Sequence, residues 1–248
     1  MTIRVAVLGS AGRMGSHVCA AVHAAEELEL VCALDVDDDL AALVQSDADV
    51  VVDFTHPSSV MANLEFVIGH GMHAVVGTTG FDDERIATVS SMLAEQPTVG
   101  VVIAPNFSIG AVLMMRFAAE AVKFYPSAEV VEYHHSGKAD APSGTARRTA
   151  EIMAAVRAEA GMAPMPDATV TSLDGARGAQ VGDVRVHSVR LTGLVAHQEV
   201  ILGGPGETLT IRHDSLDRAS FMPGVVLAVR EVSSHPGLTV GIDALLGL

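Results

Sequence analysis

Short apolar runs alternate with helix-like segments through the first hundred residues, and this alternation constrains the fold more than any other feature of the chain. The runs are apolar on both faces, which is typical of parallel strands covered by helices on both sides. The strand–helix order therefore predicts an α/β domain with a doubly wound parallel sheet. The predicted strands are Ile3–Leu8, Leu28–Leu34, Val50–Phe54, His73–Val76 and Val99–Ile103, and the predicted helices are 12–25, 39–45, 58–69 and 82–95.

The pattern changes after Ile103, where a link precedes a mixture of helices and strand-like runs. This region predicts a second, smaller α+β domain, an open sheet with helices on one side. Residues 161–182 are rich in Ala, Gly, Pro and Asp and are predicted to form a long loop. Helices are predicted over 109–124, 145–160 and 216–232, and strands over 128–133, 184–191, 197–202 and 208–212, with a short tail at the end.

A glycine-rich turn, Gly9-Ser10-Ala11-Gly12-Arg13-Met14-Gly15, separates the first predicted strand from the first helix. Such glycines let the backbone approach a pyrophosphate, which the helix N-terminus attracts. The spacing is GxxGxxG rather than GxGxxG, but Asp35 follows Gly15 by 20 residues, where an acidic residue binds the adenosine ribose. These features predict a Rossmann-like domain for a nicotinamide dinucleotide, and the alternative is a purely structural turn.

The residues around Asp35 bear on the choice between NADH and NADPH. Asp37 to Asp39 put negative charge where a ribose 2′-phosphate would lie, and positions 36 to 40 hold no Arg or Lys. Arg13 is the one nearby base in the glycine-rich turn. We therefore expect either cofactor to be accepted, with NADH bound at least as well as NADPH.

Two more loops follow the fourth and fifth predicted strands, at the edge of a doubly wound sheet where ligands bind. Their small hydroxyls and amide are predicted to hold the nicotinamide and its ribose. Capping of local structure is an equally good interpretation of the two threonines. The loops are Gly77-Thr78-Thr79-Gly80 and Ala104-Pro105-Asn106-Phe107.

The segment from Val131 to Ala146, VEYHHSGKADAPSGTA, carries the chemistry of the second domain. His134 and His135 point to opposite sides of an extended chain, so one can donate a proton while the other binds the rim of a ligand. Lys138 supplies a fixed cation or a second acid. The amides of Gly144 and Thr145 begin a helix and are predicted to bind a carboxylate, with Thr145 as the helix cap.

Alternative uses of this segment are a polar loop with structural histidines or a metal site. No Cys or further His lies at ligand spacing, and Lys138 would repel a cation, so no metal is expected. We therefore predict a site for an acidic small molecule.

Charge excludes two classes of partner. Thirty acidic residues against 15 basic ones give a formal net charge of −15, which disfavours nucleic acid and anionic membranes. The N-terminus enters a strand without a signal peptide, and the longest uncharged stretch, Gln96 to Met115, contains two prolines and is a poor membrane helix. We therefore expect a cytoplasmic protein.

The quoted segments together resemble the dihydrodipicolinate reductase family. The resemblance rests on GSAGRMG, GTTG, APNFSIG, EYHHSGKADAPSGTA and RHDSLDRASFMPG, and it extends over essentially the whole chain. It implies a Rossmann-like domain of residues 1–106, to which 216–248 returns. It also implies a mixed-sheet domain of residues 107–215 that binds substrate and assembles a homotetramer.

The resemblance also implies the reaction and the site. His134 and Lys138 take the acid roles, and His135 with the Gly144 and Thr145 amides holds the carboxylates of a cyclic substrate. That substrate, 4-hydroxy-tetrahydrodipicolinate of diaminopimelate and lysine biosynthesis, loses water, accepts a hydride at C4 and is protonated at C3. The dinucleotide is bound by the remaining predicted residues, Gly9, Ser10, Ala11, Gly12, Arg13, Met14, Asp35, Gly77, Thr78, Thr79, Ala104, Pro105, Asn106 and Phe107.

The chain departs from the family pattern at two places. Val36 stands where many relatives have a basic residue, and the run 190–197 differs from its usual form, so no role is assigned there or to Arg218 and Phe221. Two other functions stay open at this stage. One is another NAD(P)-dependent enzyme on the same plan, such as an aspartate-type dehydrogenase, and the other is a non-catalytic dinucleotide sensor.

Overall fold

The computed structural model describes residues 2–247, which form eleven strands and seven α-helices. The strands are β1 Ile3–Leu8, β2 Leu28–Leu34, β3 Val50–Asp53, β4 His73–Val76, β5 Gly100–Ile103, β6 Ser127–His134, β7 Ala179–Val181, β8 Val184–Arg190, β9 Ala196–Gly204, β10 Glu207–Ser215 and β11 Gly237–Val240. The helices are α1 Gly15–Ala24, α2 Ala41–Gln45, α3 Val60–Gly69, α4 Asp83–Ala94, α5 Ile109–Val122, α6 Gly144–Glu159 and α7 Met222–Glu231. Short 3₁₀ helices cover Arg218–Phe221, Val232–Ser234 and Ala244–Leu246.

The chain forms two compact units, each with its own sheet and its own apolar core. Unit one comprises the described residues up to Ile109 and those from Arg218 onward. Unit two comprises residues Gly110–Asp217. The chain therefore leaves unit one, builds unit two and then returns.

Unit one contains a six-stranded sheet in the order β11-β5-β4-β3-β1-β2, with every pair parallel. Buried side chains of α2, α3 and α4 pack with one face of it, among them Leu43, Leu64 and Val89. Helix α1 packs along β1 and β2, and α7 contacts both α1 and β4. The predicted doubly wound α/β class is confirmed.

The last part of unit one was predicted incorrectly in two respects. The tail contains β11, an edge strand parallel to β5. Its four residues are half-buried or exposed, so no buried apolar run in the sequence marks it as a strand. The single helix predicted over 216–232 is a 3₁₀ helix followed by α7. Pro223 lies in the first turn of α7, where its missing N–H is tolerated, and not in a helix interior.

Unit two contains a five-stranded mixed sheet in the order β10-β9-β6-β8-β7. Only β6 and β8 are parallel, and the other neighbours are antiparallel. Buried residues of α5 and α6, including Val122, Ala150 and Met153, pack with one face of this sheet, which confirms the predicted open sheet with helices on one side. Strand β7 lies inside the segment predicted as a loop, because its three residues, two exposed and one half-buried, carry no periodic signal.

A buried arginine fixes the end of α6 in unit two. The Arg157 side chain is 2% exposed, and its Nε lies 2.7 Å from Oδ2 of Asp183. Its two Nη atoms donate to the carbonyl oxygens of Tyr125 and Ala163 at 3.0 and 2.8 Å. The guanidinium thus ties α6 to the segments before β6 and before β8.

We expect Arg157→Met to lower the free energy of unfolding by about 3 kcal/mol, because it leaves a carboxylate and two carbonyls without their donor. Urea denaturation followed by circular dichroism measures the change. Arg147→Met is the matched control, since Arg147 is 70% exposed and its pair with Glu151 on the same helix is worth roughly 0.5 kcal/mol or less. Equal losses in the two variants would contradict the role of Arg157.

Candidate active site

The glycine-rich turn of unit one joins β1 to α1 and has no room for side chains at two positions. Gly9 has φ +77°, and a Cβ there would lie 2.5 Å from the carbonyl oxygen of Phe54. A Cβ on Gly15 would lie 2.0 Å from the carbonyl oxygen of Gly9. Helix α1 begins at Gly15, three residues later than predicted, because residues 10–14 form the turn itself. The turn forms a backbone cradle that fits the pyrophosphate of a dinucleotide.

Asp35 follows β2 and contacts this turn directly. Its carboxylate accepts hydrogen bonds from the N–H groups of Val36 and Ala11, both at 2.9 Å, and these two bonds lower its pKa. Asp35, Asp38 and Gly12 line a cavity of about 450 Å³ that reaches Phe54 and Asn63. The predicted ribose-binding carboxylate therefore lies beside the predicted pyrophosphate turn. Arg13 is exposed in the same turn, and Ser10 and Met14 are half-buried.

A polar cluster that the sequence analysis missed lies at the end of β3. Asp53 is 2% exposed, and its Oδ1 accepts hydrogen bonds from the hydroxyls of Thr55 and Thr78, both at 2.7 Å. Its Oδ2 accepts from the Asn63 amide at 2.8 Å. The Thr78 hydroxyl thereby links the loops after β3 and β4.

The loops after β4 and β5 divide into buried and exposed residues. Thr79 and Pro105 are exposed, whereas Ala104 and Phe107 are buried. The Phe107 ring packs on Phe54 with centroids 5.7 Å apart. A Cβ on Gly77 would lie 2.0 Å from the same Phe54 ring. The side chain of Asn106 accepts a hydrogen bond from the N–H of Ser108 at 2.8 Å.

In unit two, His134 ends β6 beside a buried ion pair. Its Nδ1 contacts Oε2 of Glu132, whose side chain is fully buried. The Nη1 and Nη2 atoms of Arg190 donate to Oε2 and Oε1 of the same carboxylate, both at 2.8 Å. The parallel register of β6 and β8 places Arg190 opposite His134. Because Nδ1 is engaged, Nε2 is the ring nitrogen that can exchange a proton with a ligand.

The charge of Glu132 is stabilised by its partners. Burial alone would raise the pKa of this carboxyl, but hydrogen bonds from His134, Arg190 and Ser188 outweigh burial and lower the pKa to about 2. Glu132 and Arg190 are the site residues that the sequence analysis missed. The available signal was a glutamate that continues the apolar, core-facing side of the strand after Ala128 and Val130.

Lys138 and His135 lie in the turn that follows β6. The Nζ of Lys138 is 2.7 Å from Oδ1 of Asp140, and its N–H donates to the carbonyl oxygen of His135. The pKa of Asp140 is lowered, chiefly by Lys138 and further by a hydrogen bond from the N–H of Gly144. His135 is exposed. The Asp140 carboxylate therefore occupies two of the donors that the sequence analysis predicts to bind an anionic ligand.

The cap of α6 was predicted incorrectly. Ser143, not Thr145, caps the helix, and its hydroxyl accepts a hydrogen bond from the N–H of Ala146 at 3.2 Å. The physical reason is that α6 begins at Gly144, so that the cap position falls on the residue before it. The N–H of Ser143 donates to Oε1 of Glu132 at 3.1 Å, which ties the helix start to the His134 anchor.

Two features are absent from the described residues 2–247. No group of three or more His, Cys, Asp or Glu side chains among them is arranged to hold a metal ion. No helix in this part of the chain is long and apolar enough to cross a membrane.

The two units define the class of the protein: two-domain α/β proteins that have a Rossmann-type unit for a nicotinamide dinucleotide and a second unit built on a mixed sheet. Matches to family models identify which family within this class the chain belongs to. The profile described as dihydrodipicolinate reductase, N-terminus, matches residues 3–107, and the one described as dihydrodipicolinate reductase, C-terminus, matches residues 110–246. The chain belongs to the dihydrodipicolinate reductase family.

Relatives agree with this assignment. A 4-hydroxy-tetrahydrodipicolinate reductase of Nocardia farcinica is 62% identical over 248 residues, 100% of both chains. One from Streptomyces griseus is 61% identical over 246 residues, 99% of this chain and 98% of its own. A structure of dipicolinate-bound dihydrodipicolinate reductase from Paenisporosarcina sp. TG-14 has a TM-score of 0.88 at 37% identity, covering 98% of this chain and 99% of that one. An amine dehydrogenase of Mycobacterium smegmatis, 13% identical with a TM-score of 0.62 over 96% and 95% of the two chains, shares the fold alone.

The lowered pKa of Glu132 predicts a pH-dependent contribution to stability. The carboxyl has a pKa of about 2 in the folded chain and 4.5 as its usual value, so its contribution is complete above pH 4.5 and is lost as the pH falls towards 2. We expect the free energy of unfolding of the wild type to exceed that of Glu132→Gln most above pH 5. The difference should shrink steadily between pH 4.5 and pH 2.5. Urea titrations of both proteins across this range test it, and a constant difference would contradict it.

Proposed function

We propose that this protein reduces 4-hydroxy-tetrahydrodipicolinate to tetrahydrodipicolinate in diaminopimelate and lysine biosynthesis. The observation that carries the proposal is His134, anchored by a buried carboxylate and followed by Lys138 in the next turn, in a chain that is 62% identical over its full length to a reductase of that name. The dipicolinate bound to the Paenisporosarcina relative supports a small cyclic dicarboxylate as the substrate.

The residues of unit two account for the acid steps and for substrate binding. His134 or Lys138 protonates C3 of the ring after reduction, and His134 does so through Nε2 because its Nδ1 contacts Glu132. His135 and the amides of Gly144 and Thr145 bind the carboxylates. The Asp140 carboxylate, which accepts from Lys138 and Gly144, makes way for them.

The residues of unit one bind the dinucleotide, which when bound supplies the hydride for C4. The turn from Gly9 to Met14 holds the pyrophosphate, and Asp35 holds the adenosine ribose. Exposed portions of the loops 77–79 and 104–107 face the nicotinamide end. We propose that NADH binds at least as well as NADPH, because Asp35 and Asp38 line the cavity in which a 2′-phosphate would need a base.

We also propose that the protein is a homotetramer, as the family resemblance implies. The face of the unit two sheet that carries Glu129, Tyr133, Glu199 and Arg212 is free of α5 and α6, whose buried residues pack with the other face. It is therefore a surface that a second copy can cover.

We expect His134→Gln to lower turnover by about two to four orders of magnitude while leaving substrate binding largely intact, because the proton donor is lost. The assay follows NADH and NADPH oxidation with the cyclic substrate generated from pyruvate and aspartate semialdehyde by the preceding synthase. His23→Gln, an exposed position on α1, is the matched control and should keep wild-type turnover. Unchanged turnover in His134→Gln would remove His134 from the acid role.

We expect Asp35→Ala to raise the Kd of NADH about 10-fold or more and that of NADPH by less, because a charge-assisted hydrogen bond to the ribose hydroxyls is lost. Fluorescence titration of each dinucleotide measures both constants. Asp37→Ala is the control, since Asp37 is exposed and does not line the cavity. Equal weakening of NADH and NADPH would mean that Asp35 acts only by fixing the turn through Ala11.

A further inference from the structure

The Glu132 carboxylate is surrounded by hydrogen-bond donors from separate parts of unit two. Its Oε2 accepts from Arg190 Nη1 and contacts His134 Nδ1, and its Oε1 accepts from Arg190 Nη2 and the Ser143 N–H. The hydroxyl of Ser188 contributes another hydrogen bond. The carboxylate lies on β6, Arg190 ends β8 and Ser143 precedes α6, so that three elements meet at one buried charge.

Arg190 extends this arrangement towards the lysine. Its Nη2 also donates to the carbonyl oxygen of Asp140, the residue whose carboxylate pairs with Lys138. The guanidinium pKa is raised, first by its hydrogen bonds to Glu132. Arg190 therefore connects the Glu132 carboxylate to the turn that carries Lys138.

We propose that Glu132 and Arg190 are the positioning residues of the active site, and that together they set the ring of His134, the turn of Lys138 and the start of α6 in one fixed arrangement. This inference deepens the proposed function, on which it rests. Neither residue needs to touch the substrate. Their effect is to fix which nitrogen of His134 exchanges protons and where the carboxylate-binding amides begin.

Only a carboxylate satisfies these neighbours, because all of them are donors. A glutamine at position 132 has one oxygen, so its NH₂ group must face either the His134 side or the Ser143 side. In either orientation one Nη atom of Arg190 also loses its acceptor. Glu132→Gln therefore keeps the shape of the side chain and removes the positioning.

Glu132 contacts both the His134 ring and the start of α6, and a second anchor of α6 allows these two effects to be separated. Gln198 lies opposite Glu132 on β9, and its Nε2 donates to the buried hydroxyl of Thr149 at 2.8 Å. The Thr149 hydroxyl donates in turn to the carbonyl oxygen of Thr145 at 2.8 Å. These two hydrogen bonds do not include His134, so Gln198 supports the start of α6 and not the ring of His134. Its Oε1 is buried without a partner within the described residues, and replacement by Met should therefore cost little stability.

The experiment measures kcat and KM of the complete enzyme with its dinucleotide for three variants. We expect Glu132→Gln to lower kcat about 10²-fold, less than the roughly 10⁴-fold cost of losing the orienting carboxylate of a serine protease triad. Arg190→Lys should also lower kcat, since a lysine cannot donate to both carboxylate oxygens of Glu132 and to the carbonyl oxygen of Asp140 at once. Gln198→Met should raise KM and leave kcat within about 2-fold of the wild type.

A matched control lies three residues earlier on the same strand. Glu129 pairs with Arg177 and His187, so it is also a carboxylate between an arginine and a histidine, but on the opposite face of the sheet. Glu129→Gln should keep wild-type kcat. The double variant Glu132→Met/Arg190→Met separates folding from positioning, because an apolar pair in place of a buried ion pair often restores stability. It should recover the melting temperature but not kcat.

A measurement that does not depend on turnover distinguishes a failure of this proposal from a failure of the proposed function. Histidine labelled with ¹⁵N reports which ring nitrogen of His134 carries the proton in the ligand-free enzyme. We expect Nδ1 to be protonated in the wild type, whether or not Nε2 also carries the proton that it donates, and the protonation of Nδ1 to be reduced in Glu132→Gln. If the wild type does not reduce the cyclic substrate but this signal changes, the proposed reaction fails and the positioning stands. Unchanged His134 signals in Glu132→Gln, or a double variant that regains both stability and kcat, would overturn the positioning role.

Discussion

The ion pair between Glu132 and Arg190 is the interaction on which the architecture of unit two depends. An isolated carboxylate inside an apolar sheet face is costly, and the pair is tolerated because nearly every lone pair of Glu132 has a donor. Those donors come from β6, β8 and the start of α6, so satisfying the charge also fixes three elements relative to one another. Burial of the Glu132 charge is unfavourable, but the hydrogen bonds that offset it also fix the positions of β8 and the start of α6 relative to the end of β6.

Unit one also contains a buried carboxylate, but the side chains that donate to it are uncharged. Asp53 is buried at the end of β3, and its donors are two threonine hydroxyls and an amide, not an arginine. They tie together the loops after β3 and β4, next to Phe54, on which Gly77 and Phe107 also pack. Both units thus have a buried carboxylate near the end of a strand, at the position where the following loop has to be held in place.

The sequence was most informative where a structure is local. The bounds of β1, β2 and β4 agree with the predicted ones because each is a mostly apolar run that is followed by a glycine or an aspartate. Strands β11 and β7 were missed because they are short and, unlike the equally short β3 and β5, contain no continuous buried apolar run. The predicted site residues of unit two come from one segment, whereas Arg190 is 58 residues away from Glu132 and reaches it only through the register of β6 and β8. No local pattern encodes that register.

The position of β11 has a consequence for how the chain is made on the ribosome. Synthesis proceeds from β1 onward, and every residue of unit two emerges before β11 does. Strand β5 therefore lacks its outer neighbour, and α1 lacks its contact with α7, until unit two has been synthesised. Unit two is contiguous and has all of its own strands by Ser215, so it can complete its fold during translation while unit one waits. The sheet of unit one therefore cannot be completed until the last strand of unit two has been synthesised.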